Sequence, residues 1–327
     1  MSAIIVENLS KRFPGEARAA VGGVSFAVDP GELLVLLGPS GCGKTTLLKM
    51  INRLYEPDGG RLMVNGVDAR AVPATELRRG IGYVIQATGL FPHMRIEENI
   101  AVVPRLLGWE RPRIDARVDE LLELVGLPLS YRRRFPRQLS GGEQQRVGLA
   151  RALAADPPVM LMDEPFGAID AITRARLQDE LLRIQRRLHK TVLFVTHDVE
   201  EALRLADRIL VMRAGEVVQL GAPLEIMTRP ADPFVSELLG ANDVLRRLSL
   251  ITVRDALVAR GVAVQAGGAP VPATPPAGAP VPVALGDDLR SALGALLNGG
   301  ADTLAVLDEG GVEVARLGFE EIRGAVS

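Results

Sequence analysis

The stretch GPSGCGKT, Gly38 to Thr45, follows the apolar run LLVLL (Leu33 to Leu37) and precedes a helical pattern from Thr46 to Leu54. A buried strand that runs into a glycine-rich turn and then into a helix lets backbone N–H groups surround phosphate groups, while the helix N-terminus adds its positive dipole end. The stretch therefore predicts an α/β fold with a nucleotide-phosphate site. Its predicted members are Gly38, Pro39, Ser40, Gly41, Cys42, Gly43, Lys44, Thr45 and Thr46.

Two side chains of this loop are predicted to contact the phosphates and a metal ion. Lys44 supplies a cation for the β- and γ-phosphates, and the hydroxyl of Thr45 is a predicted Mg²⁺ ligand. Cys42, the single cysteine of the chain, is interpreted as a small residue that fills a tight loop, although a thiol near a helix N-terminus tends to have a lowered pKa. A glycine-rich turn without a ligand is the alternative, and the strand and helix around the loop argue against it.

Two further apolar runs extend the prediction to a whole domain. Val159 to Met162 (VMLM) and Thr191 to Thr196 (TVLFVT) are continuous apolar stretches, as strands buried on both faces must be. Between them a helical pattern is formed by Leu177, Leu181, Ile184 and Leu188. The pattern predicts a βαβ unit within an α/β domain of mainly parallel sheet that spans residues 1–240.

Two carboxylates follow the second of these strands. Asp163 and Glu164 lie at the carboxyl end of VMLM, the sheet edge where ligands of open α/β sheets bind. Asp163 is the predicted partner of Mg²⁺, and Glu164 is the predicted general base for an attacking water. Paired acids also mark helix starts, so the phosphate loop upstream is what favours the catalytic interpretation.

A second glycine-containing motif, LSGGE, lies at Leu139 to Glu143 and is followed by Gln144-Gln145-Arg146. Ser140 and Glu143 have the spacing of a capping box, and a helix that opens with Gly141-Gly142 presents bare N–H groups to an anion. LSGGE closely resembles the signature sequence of ABC ATPases. The order of the phosphate loop, Gln86, the signature, Asp163-Glu164, Phe166 to Asp170 (FGAID) and His197 also resembles that family over about Ile4 to Gly240.

The resemblance implies ATP and Mg²⁺ as ligands, and a head-to-tail homodimer in which each signature contacts the nucleotide of the opposite subunit. It assigns that contact to Ser140, Gly141, Gly142 and Asp170. Gln86 is implied as a catalytic residue and Mg²⁺ contact, His197 as the switch histidine at the γ-phosphate, and Phe13 as the aromatic that stacks on adenine. A helical subdomain is implied at about residues 88–157. Most family members carry Gln where this chain has Glu143.

The tail from residue 241 to 327 is expected to be a separate module. Gln265 to Pro282 is rich in Pro, Ala and Gly, a composition that predicts a linker or long loop. Beyond it the pattern predicts a helix over Asp287 to Asn298 and paired strands over Thr303 to Leu307 and Val312 to Leu317. These segments, with LITVRDAL at Leu250 to Leu257, resemble one CBS module, so a small α/β fold is expected.

Composition narrows the class of protein. The 327 residues are 47% hydrophobic and 24% charged with a formal net charge of −2, which is the balance of a folded domain and offers no basic footprint for nucleic acid. The basic run Arg132-Arg133-Arg134, together with Arg137, is interpreted as a solvated face, and a site for lipid headgroups or nucleic acid is the alternative. No apolar run reaches about 18 residues and no signal peptide is recognisable, so we expect the chain to stay in the cytoplasm. The resemblance to ABC transporter ATPases implies a peripheral place there, on the cytoplasmic face of the cell membrane.

The transported solute is implied by resemblance alone. The stretches Met50 to Pro57, Gly82 to Ile100 and Val103 to Trp109 look like the osmoprotectant branch of import ATPases, which serve glycine betaine, choline, carnitine or proline betaine. That branch implies a separate integral membrane permease and an extracytoplasmic solute-binding protein as partners. An ABC import ATPase for another small solute, such as an amino acid or other amine, is the alternative. A DNA-repair ATPase would need a long coiled-coil insertion between Thr46 and Leu139, where there is no room for one.

Overall fold

The structure is a computed structural model, and it describes residues 2–86, 89–167, 169–260, 281–299, 302–308 and 310–325. The chain divides into two compact units, Met1–Ala222 and Pro223–Ser327. Residues 223–240, which the sequence places in the ATPase domain, group with the second unit. The predicted domain boundary at residue 240 stays a prediction.

The first unit contains ten strands and eight α-helices in its described residues. The strands are β1 Ile4–Lys11, β2 Val21–Val28, β3 Leu33–Leu37, β4 Gly59–Val64, β5 Val67–Asp68, β6 Ile81–Val84, β7 Val159–Asp163, β8 Thr191–Thr196, β9 Arg208–Arg213 and β10 Glu216–Gly221. The helices are α1 Lys44–Ile51, α2 Ala74–Arg79, α3 Ile96–Ile100, α4 Val102–Leu106, α5 Arg111–Leu124, α6 Gly141–Leu153, α7 Ala171–Leu188 and α8 Val199–Leu205, with 3₁₀ turns at Leu129–Arg133 and Pro136–Gln138.

The central sheet has six strands in the order β10-β9-β3-β8-β7-β6. All neighbours from β6 to β9 pair in parallel, and only β10 is antiparallel, at the edge. Every residue of β3, β7 and β8 is buried, which explains their continuous apolar runs. The prediction of a mainly parallel sheet is confirmed, and so is the βαβ unit, because β7 and β8 are parallel neighbours joined by α7.

A second sheet accompanies the first and was not predicted from the sequence. It is antiparallel, with the order β2-β1-β4-β5. Its buried side chains, among them Ile4, Leu9 and Val21, join those on one side of the central sheet, such as Leu34 and Leu36, in one core. This shared core holds the strands whose carboxyl ends carry the polar residues of interest.

A helical segment separates β6 from β7, as the resemblance implied for about residues 88–157. Its described residues form α3 to α6 and the two 3₁₀ turns, without a strand. The interpretation of Arg132 as part of a solvated face is wrong. Its side chain is only 23% exposed and pairs with Glu97, Asp115 and Asp119 at 2.9, 2.7 and 2.8 Å, so it ties α3, α5 and the first 3₁₀ turn together.

The second unit is a small α/β arrangement in its described residues. Its elements are α9 Pro223–Thr228, α10 Pro233–Leu239, α11 Val244–Leu248, α12 Val253–Ala259, β11 Pro282–Ala284, α13 Leu289–Gly299, β12 Thr303–Leu307, β13 Glu313–Gly318 and α14 Phe319–Gly324. β12 pairs in parallel with β11 and antiparallel with β13, so the predicted strand pair is confirmed. Residues 261–280, most of the predicted linker, lie outside the described residues, and Pro282 already belongs to β11.

Candidate nucleotide-hydrolysis site

The loop between β3 and α1 has a backbone that only glycine tolerates at two points. Gly38 and Gly43 have φ values of 159° and 106°, a region that side chains disfavour. A Cβ at Gly38 would overlap the carbonyl oxygen of Met212, and one at Gly43 would overlap that of Ala20. The loop is therefore packed tightly against the backbone of Met212 and Ala20. Helix α1 begins directly after it at Lys44, so the N–H groups of its first turn have no partner within the helix.

Lys44 is folded back onto its own loop. Its Nζ donates hydrogen bonds to the carbonyl oxygens of Gly38 at 2.7 Å and Pro39 at 2.9 Å, and the residue is only 5% exposed. Nζ also lies 3.8 Å from the sulfur of Cys42. Burial raises the pKa of that thiol despite the lysine beside it, so Cys42 is a buried small side chain and not an activated thiol.

Thr45 and Asp163 join the loop to the end of β7. The hydroxyl of Thr45 donates to Oδ1 of Asp163 at 2.8 Å. Burial raises the pKa of Asp163, and the hydrogen bond from Thr45 opposes that shift. Two hard oxygen donors of the predicted Mg²⁺ shell are thus side by side, next to the phosphate loop.

Glu164 lies between side chains from two neighbouring strands. Its Oε1 is 3.1 Å from Nδ1 of His197, which follows β8, and its Oε2 accepts a hydrogen bond of 3.1 Å from Nε2 of Gln86, which follows β6. Glu164 has a φ of 44° and its N–H donates to the carbonyl of Val195 at 3.0 Å. The structure therefore brings three predicted catalytic side chains together, and His197, with a side chain 60% exposed, faces solvent.

The capping box predicted at the start of α6 is present. Oγ of Ser140 accepts from the N–H of Glu143 at 3.3 Å, and the N–H of Ser140 donates to Oε2 of Glu143 at 2.7 Å. Oε1 of Glu143 accepts from the hydroxyl of Tyr131 at 2.9 Å. The hydrogen bond from the Ser140 N–H is the main cause of a lowered pKa at Glu143. This carboxylate is therefore charged, and it caps the N-terminus of its own helix.

The signature residues open onto a groove of about 310 Å³ that Ser140, Gly142 and Thr173 line. Asp170 caps α7 beside it, because its Oδ1 accepts from the N–H of Thr173 at 3.0 Å, a bond that lowers the pKa of the carboxyl. Among the described residues that line this groove, none comes from the phosphate loop. The phosphate loop of the same chain is thus not part of the groove at the signature.

Comparison with known proteins fits this geometry. The sequence model of the family described as "ABC transporter" matches residues 21–167. The osmoprotectant import ATP-binding protein OsmV of Salmonella typhimurium is 52% identical over 256 residues, which are 77% of this chain and 67% of that protein. This chain belongs to the ABC transporter family.

Two other ABC relatives cover the chain to different extents. The glycine betaine uptake system ATP-binding protein YehX of Escherichia coli is 54% identical over 73% of this chain and 78% of its own length. The carnitine transport ATP-binding protein OpuCA of Listeria monocytogenes is 42% identical over 97% of this chain and 75% of its own length. That second alignment therefore extends through the tail.

Solved structures also contain this ABC fold. The "Dimeric structure of a post-hydrolysis state of the ATP-binding cassette MJ0796 bound to ADP and Pi" matches with a TM-score of 0.60 and 32% identity. The match covers 67% of this chain and 98% of that cassette. The ABC ATPase fold of the first part of the chain is thereby confirmed, whereas the CBS-like nature of the tail stays a prediction.

The surroundings of Phe13 give little support to its predicted stacking on adenine. Its ring meets Tyr55 edge to face, with centroids 5.3 Å apart, and Nζ of Lys11 lies 5.9 Å from it. The ring is partly exposed. No described contact joins it to residues 38–46, so adenine stacking by Phe13 stays a prediction, as do the contacts across the dimer assigned to Ser140, Gly141, Gly142 and Asp170.

Sequence reasoning missed two buried polar residues that hold this ABC site in place. Buried Gln145 on α6 donates to the carbonyl of Pro165, directly after Glu164. Buried Glu201 on α8 accepts from the hydroxyl of Thr196, directly before His197. Polar residues inside helices are usually solvated, so their side chains carried no signal until the packing of α6 and α8 was known.

Proposed function

We propose that the chain is the ATP-hydrolysing subunit of an importer for quaternary-amine osmoprotectants such as glycine betaine, choline or carnitine. The observation that carries the proposal is the identity, at 52 and 54%, with two ATP-binding proteins named for osmoprotectant and glycine betaine uptake. A carnitine transport relative that aligns over 97% of the chain extends the likeness to the tail. The phosphate loop and the carboxylates after it are the groups that such a subunit needs to bind and hydrolyse ATP.

Binding of ATP follows from the loop around Lys44. In the structure Nζ of Lys44 satisfies the carbonyls of Gly38 and Pro39, and the β- and γ-phosphates offer it stronger, charge-assisted partners. The N–H groups at the start of α1 add to the attraction. The tight packing at Gly38 and Gly43 fixes the backbone N–H groups of the loop before ATP arrives, so Lys44 is the group that changes its hydrogen-bond partners on binding.

Thr45 and Asp163 fit Mg²⁺ because they are oxygen donors of which one is a carboxylate, and Mg²⁺ bound with a nucleotide uses one or two carboxylates together with phosphate oxygens. When bound, the ion neutralises charge that develops on the transferred phosphoryl group. Gln86 follows β6, the neighbour of the strand that ends at Asp163, and its amide nitrogen donates to Glu164 at 3.1 Å. Its amide oxygen would be a further ligand.

Hydrolysis is assigned to Glu164 and His197. Glu164 follows Asp163 directly and its carboxylate is held from both sides by Gln86 and His197 at 3.1 Å, as a general base needs to be to orient a water and take its proton. His197 is exposed enough to meet a γ-phosphate. The attack is in line, and the residues act by positioning and charge.

A homodimer completes the site in this proposal. Ser140 and Gly142 open onto a groove that contains no described residue of the phosphate loop. The N–H of Ser140 is already paired with Glu143, so the hydroxyl of Ser140 and the N–H of Gly142 are the groups that would meet the ATP of a second subunit. The solved cassette that matches at 32% identity is dimeric with ADP and Pi. Two subunits arranged head to tail would form two composite sites.

The remaining partners are proposed from the relatives. Every helix in the described part of the chain is too short or too polar to cross a bilayer. The chain would act on the cytoplasmic face of the membrane, bound to a separate permease that receives solute from an extracytoplasmic binding protein. The tail would add a CBS-like module. Pairing of two tails across the dimer would cover the exposed apolar side chains Val258, Leu297 and Phe319.

The test is transport by the complete assembly. The chain is reconstituted with the permease of its own transporter in proteoliposomes, and ATP-driven uptake of labelled glycine betaine, choline, carnitine, glutamate and sulfate is compared. Uptake of a quaternary amine that is abolished by Glu164→Gln is expected. Uptake of glutamate or sulfate in place of the amines would refute the proposed solute class.

A further inference from the structure

Glu201 is a buried acid that the hydrolysis site does not use. It lies in the first turn of α8 and is 5% exposed. Its Oε2 accepts from the hydroxyl of Thr196 at 2.7 Å, and its Oε1 accepts from the amide of Gln178 at 3.2 Å and lies 3.9 Å from Nε of Arg174. Burying a carboxylate is unfavourable unless it is well paired, so these partners point to a purpose beyond packing.

Thr196 places Glu201 next to the switch histidine. Thr196 is the last residue of β8, and its hydroxyl both donates to Glu201 and accepts from the N–H of Asp198 at 3.0 Å. One hydroxyl thus ties the residue before His197 to the residue after it. Because the side chain of His197 is 60% exposed, the position of its ring depends on this backbone.

Arg174 extends the network to the segment that precedes Asp170. One terminal nitrogen of its guanidinium donates to Oδ2 of Asp198 at 3.0 Å, and the other donates to the carbonyl of Ile169 at 3.1 Å. Asp198 in turn caps α8 by accepting from the N–H of Glu201 at 3.3 Å. The planar guanidinium of Arg174 therefore connects the turn after His197 to the loop that leads to Asp170, beside the groove that Ser140 and Gly142 line.

We infer that Thr196, Arg174 and Glu201 form a positioning network that holds His197 against Glu164 and links this histidine to the segment carrying Asp170. The inference rests on the proposed catalytic role of His197. Catalytic groups must be held to within about 0.5 Å of their productive place, and a displacement of about 1 Å costs on the order of 10²-fold in rate. The network acts through His197 and touches no reacting atom.

The matched pair Thr196→Val and Thr196→Ser tests the hydroxyl in the full-length chain. Valine keeps the shape and removes the hydrogen bonds, whereas serine keeps the hydroxyl. Intrinsic ATP turnover, ATP affinity by direct titration and Tm are measured for both. Thr196→Val is expected to lower kcat by about 10- to 100-fold with ATP affinity nearly unchanged, and Thr196→Ser is expected to restore kcat. Equal turnover of the two variants would overturn the inference.

A double-mutant cycle separates positioning from general destabilisation. Arg174→Met is combined with His197→Ala, and kcat is measured for each single variant and for the double variant. If Arg174 acts through His197, Arg174→Met loses its effect once the histidine is absent. Independent, multiplying effects would overturn the inference. So would normal turnover by His197→Ala, which would also remove His197 from the proposed mechanism.

Histidine NMR supplies a readout that does not depend on turnover. The chain has three histidines, so ring signals of His197 can be assigned against His93 and His189 by substitution. Glu201→Gln is expected to shift the ring signals of His197 alone, and unchanged signals would overturn the inference. Failure of amine uptake by the reconstituted transporter, with this cycle and these shifts intact, would refute only the proposed solute.

Discussion

Glu164 is fixed by residues far from it in the sequence. Gln86 and His197 each reach one of its carboxylate oxygens at 3.1 Å, and its own N–H is held by the carbonyl of Val195 at 3.0 Å. Its φ of 44° is uncommon for a residue with a side chain and marks backbone held by its surroundings. A carboxylate placed this firmly is suited to orient a water.

Glu164→Gln is therefore expected to lower ATP turnover by about 10²- to 10⁴-fold, the usual contribution of a general base. ATP binding should persist, because Lys44 and the phosphate loop are untouched, and an ATP-bound dimer should accumulate. Turnover, direct ATP titration and size-exclusion chromatography measure the three effects. Glu123→Gln, on the exposed side of α5, is the matched control, and near wild-type turnover of Glu164→Gln would remove this residue from its role.

The residues that could be predicted are those that the chain places at strand ends. Asp163 ends a buried parallel strand, and Lys44, Glu164 and His197 come after such strands, so their meeting at one sheet edge follows from topology. The hydrogen bond from Thr196 to Glu201 could not be predicted in this way. It depends on how α8 packs beside β8, and a glutamate in the first turn of a helix is ordinarily a solvated favourable charge.

At the scale of elements, predictability follows burial. β3 and β8 have the predicted bounds and β7 is one residue longer, because strands buried on both faces leave an unbroken apolar run. The strands of the antiparallel sheet have a weaker hydrophobic pattern in the sequence. β1 pairs with β2 through two register shifts, and β2 contains Gly22-Gly23, so the alternation that reveals a one-sided strand is interrupted.

The start of α6 offers a prediction about stability and pH. The pKa of Glu143 is lowered by its hydrogen bond from the Ser140 N–H, so the unfolded chain binds this proton at higher pH than the folded chain. The carboxylate therefore stabilises the fold above the ordinary glutamate pKa, and this contribution is lost as pH falls through the lower folded-state value.

Glu143→Gln keeps an acceptor for Ser140 but removes the charge near a helix N-terminus, an interaction of about 0.3 to 1 kcal/mol. It is expected to lower Tm slightly near pH 7, with a difference that shrinks as the pH drops below the ordinary glutamate range. Thermal unfolding followed at several pH values measures this. A difference that stays constant down to acid pH would show that the charge of Glu143 does not contribute.

At the scale of the whole molecule, the tail is expected to bind adenosine nucleotides weakly or not at all. CBS modules that bind nucleotide typically carry Thr or Ser after the final strand and Asp three residues later, where this chain has Gly318 and Glu321. The N–H of Gly318 already donates to Oε2 of Glu321 at 2.9 Å, so this carboxylate caps α14. Each missing partner is worth about 1 kcal/mol or more.

Calorimetry of the full chain carrying Lys44→Ala, which weakens ATP binding at the phosphate loop, measures binding by the tail. AMP, ATP and cyclic dinucleotides are titrated, and no micromolar binding is expected. Micromolar affinity that disappears on Glu321→Ala would sink this prediction and would make the tail a nucleotide sensor.

The arrangement of the dimer can be tested by complementation between subunits. Ser140 and Gly142 should serve the site built from the other subunit's phosphate loop and Glu164. In a heterodimer of Ser140→Arg and Glu164→Gln protomers, one composite site would carry both lesions and the other would carry none. Turnover by the mixture clearly above that of either homodimer is therefore expected, provided that one intact site suffices for hydrolysis.

The control for that experiment places the same two substitutions in one protomer instead of dividing them between two protomers. A protomer carrying both Ser140→Arg and Glu164→Gln, paired with a wild-type protomer in heterodimers purified through two different affinity tags, places one lesion in each composite site and should show no recovery, although its number of substitutions per heterodimer is the same. If instead each site were built within one chain, the purified heterodimer of single variants would contain no intact site and the purified heterodimer with wild type would contain one. The two arrangements thus predict opposite rankings of the two purified heterodimers, and cross-linking shows that both stay heterodimeric during the assay.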